Sequence, residues 1–269
     1  MLRQRVITAL ILAPLVLIVI LWLPHQATVG AFTLLVLAGA WEWSAFPDFR
    51  LRSARILYVV AISSGIAAVW FLGADRDVLE AVLYATMAWW LVALLWIAAA
   101  PTAVNRATAA IAGVFVLVPT WLALTQLHAH APRLLLFLLL LVVAADIGAY
   151  FAGRRFGRNK LAPKVSPGKT WEGVMGGLLA AAIMALLGVR WFGMNPAAFI
   201  GLCAVVAVAS IVGDLTESLF KRHAGLKDSG GLLPGHGGLL DRVDSVTAAA
   251  PVFLVGLQWL DLLEVTPLR

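Results

Sequence analysis

Nine runs of mostly apolar residues constrain the fold of this chain more than any other feature of its sequence. A helix that crosses the hydrocarbon core of a bilayer needs about 20 such residues in succession. The runs cover residues 7–24, 28–47, 55–73, 79–100, 105–127, 133–153, 172–192, 196–220 and 246–266. The pattern predicts an all-α integral membrane protein, a polytopic helical bundle of about nine transmembrane helices.

The composition excludes an ordinary soluble domain. Of the 269 residues, 62% are hydrophobic and 13% are charged, whereas soluble domains average about 45–50% apolar and about 25% charged residues. A soluble fold of this size could not hide so much apolar surface, so the surface must face lipid. The single cysteine, Cys203, excludes an internal disulfide framework and a cysteine-based zinc site.

The basic residues predict the orientation of the bundle. With nine spans and a cytoplasmic N-terminus, all but four of the 20 Lys and Arg residues fall in cytoplasmic segments, as an inner-membrane protein requires. The exceptions are Arg76, Arg133, Arg190 and Arg269. Most of the basic residues behind the formal net charge of +6 therefore lie on the predicted cytoplasmic side, and no nucleic-acid partner is expected.

The two halves of the chain differ in their polar content. Residues 1–130 have short connections and are expected to form scaffold helices or a lipid-facing wall. Residues 131–269 carry two long polar loops, 154–171 and 221–245, and are predicted to form the catalytic region. Glu42 is the exception in the first half, and pairing with a neighbouring group is the simplest explanation for it.

One polar stripe lies at the end of the eighth apolar run. At 3.6 residues per turn, one helix face carries Asp214, Glu217, Ser218 and Lys221. Asp214 lies about 10 Å deeper than Lys221 along the helix, where a carboxylate requires a cation or a water-filled cavity. A salt bridge with Lys221 or Arg222 would satisfy that requirement, but two carboxylates and a hydroxyl exceed what a simple pair needs.

A glycine-rich loop follows this stripe directly. Its exposed N–H groups could cradle phosphate, and its lysine and arginine residues provide charge for polyphosphate oxygens. Asp241 and Asp244, three residues apart, suit a hard cation such as Mg²⁺. His236 could act as a base, a phosphate donor or a loop staple, and its glycine neighbours favour a functional or hydrogen-bonding role. A solvated turn is the alternative for the loop as a whole.

A third polar segment precedes and opens the seventh apolar run. Gly168-Lys169-Thr170 resembles the end of a P-loop, but the first glycine of that motif would fall at Pro163 and no strand is predicted before it. The segment is instead interpreted as a basic loop with the hydroxyls of Ser166 and Thr170. Asp146 lies within an apolar run, and a structural hydrogen bond to Tyr150 is the alternative to a role in binding.

Together these residues resemble the phosphatidate cytidylyltransferase (CDP-diacylglycerol synthase) family, and the similarity spans roughly residues 140–245. The pattern that carries it is Ser218, Lys221, Arg222, Lys227, Asp228, Gly230, Pro234, His236, Gly237, Gly238, Asp241, Arg242 and Asp244. The resemblance implies an enzyme of the bacterial cytoplasmic membrane that transfers the cytidylyl group of CTP to phosphatidate at the inner leaflet. The implied products are CDP-diacylglycerol and pyrophosphate.

The predicted site residues follow from both arguments. We expect Asp214 and Asp241 to bind Mg²⁺, with Glu217 and Asp244 as further candidates, and leave a second, monovalent cation open. Catalytic roles are predicted for Asp214, Lys221, His236 and Asp241. Substrate binding is predicted for Asp146, Ser166, Lys169, Thr170, Ser218, Arg222, Lys227, Asp228, Gly237, Gly238 and Arg242. Membrane lipid surrounds the protein, and a homodimer is the default expectation.

Two other functions are compatible with parts of this pattern. A prenyl transferase also uses Asp-x-x-Asp pairs with Mg²⁺ in a helical membrane bundle, although the His-Gly-Gly loop argues against it. A transporter could use Asp146, Asp214 and Glu217 as a cation or proton path. Metal-dependent turnover of CTP without a membrane gradient would separate these classes.

Overall fold

The computed structural model describes residues 2–73, 75–102, 104–232, 235 and 237–263. Within these residues it contains nine α-helices, one short 3-10 helix at Leu240–Arg242 and two short strands. The helices are α1 Leu2–Leu21, α2 His25–Trp43, α3 Arg52–Leu72, α4 Arg76–Ala99, α5 Arg106–His130, α6 Pro132–Phe156, α7 Trp171–Phe192, α8 Pro196–His223 and α9 Asp244–Trp259. The strands are β1 Lys160–Ala162 and β2 Ser166–Thr170. The predicted all-α membrane fold is confirmed.

Each predicted apolar run corresponds to one helix. Six helices in the described part of the chain, α3 to α8, are long and apolar enough to cross a membrane. The run at 246–266 was predicted too long, because α9 ends at Trp259. Asp261, just beyond this end, has a backbone φ of 53°, which lies in the left-handed region that interrupts a right-handed helix.

The outward faces of the helices carry large apolar side chains. Leu91, Leu95, Leu179 and Leu187 are each more than half exposed, as side chains in contact with lipid would be. The core is formed instead by inward aromatic and aliphatic residues, among them Trp43, Trp121, Phe137, Phe199 and Phe253. The Trp43 indole donates a hydrogen bond to the Ala109 carbonyl at 2.8 Å, which joins α2 to α5.

Small residues bring α6 and α7 into close contact. A Cβ atom on Gly148 would lie 2.6 Å from the Gly176 carbonyl oxygen and 2.7 Å from the Ala180 Cβ. Gly173 and Gly177 face the α6 backbone in the same way. Helices in lipid associate through close van der Waals packing at such small residues, because no hydrophobic force drives them together. This interface positions the start of α7 beside the end of α6.

The predicted loop at 154–171 contains more regular structure than expected. The helix α6 continues to Phe156, and β1 then pairs with β2 in an antiparallel hairpin, with Lys160 opposite Thr170 and Ala162 opposite Ser166. The Thr170 hydroxyl accepts a hydrogen bond from the Gly173 amide at 3.2 Å and so caps α7. The hairpin therefore leads directly into the seventh helix.

The hairpin and the loop at 221–245 lie at one end of the bundle. A cavity of about 170 Å³ there is lined by residues that follow α4, by the hairpin and by the end of α8, including Pro101, Lys164 and Arg222. At the same end Arg106 pairs with Asp48 at 2.6 Å. The structure thus gathers basic segments from both halves of the chain, while the cytoplasmic position of this end remains a prediction.

Candidate active site

The predicted polar stripe on α8 is confirmed. The Ser218 hydroxyl donates a hydrogen bond to Asp214 Oδ1 at 3.2 Å, and the Lys221 ammonium lies 3.1 Å from Glu217 Oε1. All four side chains therefore share the face that points toward the hairpin and the glycine-rich loop. The face begins inside the helix and ends at Lys221, within the last turn of α8.

The partner of Asp214 is Lys169. Its ammonium lies 2.7 Å from Asp214 Oδ2, so Asp214 does not form the predicted salt bridge with Lys221 or Arg222. The salt bridge within the stripe joins Lys221 to Glu217 instead. Lys169 lies in β2, one residue before the cap of α7. The hairpin thereby delivers a cation from a distant part of the sequence to the carboxylate in α8.

Lys221 lies between two carboxylates. It is 7% exposed, and its ammonium contacts Asp241 Oδ1 at 2.5 Å in addition to Glu217. An ammonium group buried to this degree requires charged partners, because its desolvation costs on the order of several kcal/mol. The α8 stripe is therefore joined to the 3-10 helix that carries Asp241.

The loop before Asp241 folds around its carboxylate. Asp241 Oδ2 accepts hydrogen bonds from the Ser229 amide at 2.9 Å, the Gly238 amide at 2.9 Å and the Ser229 hydroxyl at 3.1 Å. Burial raises the pKa of Asp241, but the Lys221 ammonium and these two amides lower it by more, so the pKa lies below its ordinary value. Asp241 is thus an anion at neutral pH.

Glycine at position 237 makes this loop conformation accessible. Its backbone φ is +86°, in the region that favours glycine. A Cβ atom on Gly237 would lie 3.2 Å from Asp241 Oδ2. Gly237 was predicted to let the backbone approach phosphate, and its positive φ is a second, conformational reason for glycine at this position.

Two further carboxylates border the same space. Asp146 in α6 interacts with Asp214, Lys169 and Ser245. The predicted hydrogen bond from Tyr150 to Asp146 is not formed among the described residues: Asp146 bonds with Ser245 instead, and the contact of the Tyr150 hydroxyl is Arg154 at 2.9 Å.

Asp244 begins α9 and accepts a hydrogen bond from the Ser245 amide at 2.7 Å. Its charge interacts with Asp214, Glu217 and Lys221. The start of α9 therefore adds a fifth carboxylate to the four from α6, α8 and the 3-10 helix.

The donor chemistry of this cluster fits a hard cation. Five carboxylates and two lysine ammonium groups lie in this cluster. Glu217 Oε2 is buried and has no hydrogen-bond partner among the described residues. Among the described residues, no group of three or more Asp, Glu, His or Cys side chains lies close enough together to bind a metal ion on its own. Mg²⁺ does not require such a group, since it commonly binds one or two carboxylates together with substrate phosphates and water.

Glu42 reaches this region from the first half of the chain. Its Oε2 accepts hydrogen bonds from the Ser229 hydroxyl at 3.0 Å and from the Leu240 amide at 2.9 Å. Pairing with a neighbouring group was the simplest explanation for Glu42 in the sequence, and Glu42 was not among the predicted site residues. The sequence feature that could have indicated Glu42 is a carboxylate within an apolar run. No local pattern predicts its partners, because they lie 187 and 198 residues further along the chain.

Comparison with known proteins identifies the family. The sequence model of the Cytidylyltransferase family matches residues 3–260. The chain belongs to this family. It is 43% identical to phosphatidate cytidylyltransferase of Pseudomonas aeruginosa, over 96% of this chain and 97% of the relative. The corresponding protein of Haemophilus influenzae is 38% identical over 94% of this chain and 97% of the relative. A phosphatidate cytidylyltransferase of Staphylococcus aureus is 45% identical over 44% of this chain and 46% of its own length.

The remaining residues predicted for this cytidylyltransferase site lie around the cluster. Ser166 is half-buried in β2, and the Thr170 hydroxyl is engaged as a helix cap. Arg222 lies over the hairpin, with its Nε 3.5 Å from the Val165 carbonyl oxygen. The Gly238 amide, predicted to approach phosphate, is bonded to Asp241.

Three charged candidates lie on the outside of the loop. Lys227, Asp228 and Arg242 are exposed, in positions where a ligand from solvent can reach them. Pro234 and His236 lie outside the described residues, so the role predicted for His236 stays a prediction. The substrate assignments of the individual residues stay predictions as well.

Proposed function

We propose that this chain transfers the cytidylyl group of CTP to phosphatidate and produces CDP-diacylglycerol and pyrophosphate. The observation that carries the proposal is the match, over nearly the whole chain, to relatives named phosphatidate cytidylyltransferase. The cluster of lysines and carboxylates at one end of an apolar bundle supports it. Such a cluster suits a reaction between a charged nucleotide and a lipid phosphate.

The reaction joins two polyanions. An oxygen of the phosphatidate phosphate attacks the α-phosphorus of CTP, and a new phosphorus–oxygen bond forms. The bond between the α-phosphorus and the oxygen that bridges to the β-phosphorus breaks, and pyrophosphate leaves with the electron pair. The attacking phosphate monoester has a second pKa near 6 and is largely a dianion at pH 7, so it needs little help from a base. Neutralisation and positioning are what the site must supply.

The residues of the cluster would divide that work. Lys169 and Lys221 would exchange part of their contact with carboxylates for substrate phosphate oxygens. Asp214 and Asp241 would hold Mg²⁺, with Glu217 and Asp244 as further ligands or as partners that orient the lysines. Bound there, Mg²⁺ would offset the charge on the leaving pyrophosphate. A second, monovalent cation beside Mg²⁺ stays open in this proposal.

The proposal places this end of the bundle at the cytoplasmic face of the bacterial inner membrane. CTP is a solute of the cytoplasm, and the basic loops at 154–171 and 221–245 follow the rule for cytoplasmic segments. The phosphate of phosphatidate in the inner leaflet would then lie at the depth of the site. A homodimer is the assembly that we expect by default, and no step of the mechanism depends on it.

The test uses the purified protein in detergent, labelled CTP and phosphatidate, with Mg²⁺ or with EDTA. The expected result is lipid-extractable cytidine label that requires both phosphatidate and Mg²⁺. Diacylglycerol, which lacks the attacking phosphate, is the matched control and should give no label. Absence of label from folded protein would overturn the proposed reaction, and label that persists in EDTA would overturn its metal dependence.

A further inference from the structure

The buried carboxylate of Glu42 is the strongest feature of the structure that the proposed reaction does not use. Glu42 lies one residue before the end of α2 and is 4% exposed. Its Oε2 accepts two hydrogen bonds from the loop around Asp241, and its Oε1 is buried without a hydrogen-bond partner among the described residues. A buried carboxylate with one unsatisfied oxygen reduces stability, so a gain in function is the explanation to examine for its position.

The contacts of Glu42 lead to Asp241 through Ser229. The Ser229 hydroxyl lies 3.0 Å from Glu42 Oε2 and 3.1 Å from Asp241 Oδ2. A serine hydroxyl has a single proton, so the two carboxylates share one donor. The Ser229 amide fixes the other side of the arrangement by donating to Asp241 at 2.9 Å. Ser229 is therefore held between a residue of α2 and the candidate metal ligand.

Two loop glycines leave the space that Glu42 occupies. A Cβ atom on Gly230 would collide with the Glu42 carboxylate. A Cβ atom on Gly238 would lie 2.7 Å from Glu42 Oε2 and would also collide with the Ser229 hydroxyl. By contrast, a Cβ atom on Gly231 would meet nothing within 4 Å. Part of the glycine content of this loop thus accommodates a carboxylate from the first half of the chain.

We propose that Glu42 is a positioning residue for the reaction and acts by holding Ser229 and the 229–241 loop so that Asp241 meets Lys221. The expected fall in kcat rests on the proposed function. The expected effect on the 229–241 loop does not depend on it. It also gives the first half of the chain a part in the site in addition to the predicted scaffold role.

The first test is kinetic. Glu42→Ala is expected to lower kcat at least about tenfold, the usual scale for residues that orient a ligand of the reacting centre. The KM for CTP should change little, because Glu42 does not touch the outer face of the loop. Glu42→Gln retains an oxygen acceptor for Ser229 and Leu240 and should recover most of the lost activity. Ser44→Ala is the matched control, since Ser44 is buried nearby and its hydroxyl bonds, among the described residues, only the Trp41 carbonyl.

The second test does not depend on turnover. Leu232→Cys places a spin label on the loop at a side chain that is 50% exposed, and the natural Cys203 is buried. The label should become more mobile in the Glu42→Ala background and remain unchanged in the Ser44→Ala background. If the wild-type protein transfers no labelled cytidine to lipid, the proposed function fails. A rise in spin-label mobility in the Glu42→Ala variant would still support the contact between Glu42 and the loop.

Several results would overturn the proposal. One is a Glu42→Ala variant with wild-type kcat and wild-type label mobility. Another is an equal loss in the Gln and Ala variants, because the negative charge rather than the accepted hydrogen bonds would then be required. If Glu42→Ala does not fold, Ser229→Ala removes the same connection from the loop side and carries the same kinetic and spectroscopic expectations.

Discussion

The Lys169 ammonium lies 2.7 Å from Asp214 Oδ2, and this contact ties the β-hairpin to α8. The two side chains are about one-quarter exposed, at 25% and 28%. They are thus neither fully solvated nor fully buried. A pair in such a position can release its cation to a substrate phosphate without leaving a carboxylate in a dry core.

A double-mutant cycle tests that contact. Lys169→Met and Asp214→Asn each leave a charge without its partner, and the double variant removes both, so the effects on the free energy of unfolding should not add. We expect a coupling of about 1 kcal/mol, measured by thermal or denaturant unfolding in detergent. The same cycle on the more exposed pair of Arg76 and Glu80, at 2.8 Å, serves as the control and should give a smaller coupling. Additive effects at Lys169 and Asp214 would contradict the contact.

Substitution of Asp241 tests the centre of the cluster. Asp241→Asn retains the shape of the side chain but removes the charge that meets Lys221, so activity should fall at least about 100-fold while the protein remains folded. Lipid-extractable label from CTP measures the loss, and thermal unfolding checks the fold. Asp77→Asn, an exposed change at the start of α4, is the control and should retain activity. Normal turnover by Asp241→Asn would remove Asp241 from the metal site.

Two glycines of one loop form a matched pair. Gly238→Ala brings a methyl group against Ser229 and Glu42, whereas Gly231→Ala points into open space. Because the loop must shift in the first variant, its kcat should fall about tenfold or more, and the second variant should remain close to wild type. Steady-state kinetics with CTP and phosphatidate measure the difference. Equal behaviour of the two variants would mean that crowding at Gly238 does not affect the site.

The contact between α6 and α7 makes a prediction about stability. Gly148→Ala would place its Cβ 2.6 Å from the Gly176 carbonyl oxygen, so one helix must move. We expect a loss of about 1–3 kcal/mol in the free energy of unfolding, the usual cost of overpacking. Gly201→Ala in α8 meets nothing within 4 Å and should have little effect. Comparable unfolding of the two variants in detergent would contradict close packing at Gly148.

The sequence predicted the helices well because their signal is local. Each apolar run corresponds to one helix, and the error at 246–266 arose where Asp261 turns the chain into the left-handed region. The hairpin was missed because β1 and β2 are only three and five residues long and carry no alternating apolar pattern. Its strands are defined by pairing with each other.

The candidate site was predicted in part. The α8 stripe follows from helical spacing, and Asp241 and Asp244 follow from their separation and their place after the glycine-rich loop. The partner of Asp214 was not predictable in this way, since Lys169 lies in another element and reaches α8 only when the hairpin packs against it. Glu42 was missed as a site residue for the same reason.

Three properties of this chain can be predicted from its residues alone: it forms apolar helices, most of its basic residues lie in a few loops, and one helix face carries two carboxylates and a lysine. Those properties depend on composition and on the 3.6-residue period, which act within a single segment. The contacts between Lys169 and Asp214, between Lys221 and its two carboxylates, and between Glu42 and Ser229 depend on how the helices and loops pack together. Hydrogen bonds and ion pairs act over a few ångströms, so they form only between groups that helix packing has already brought together.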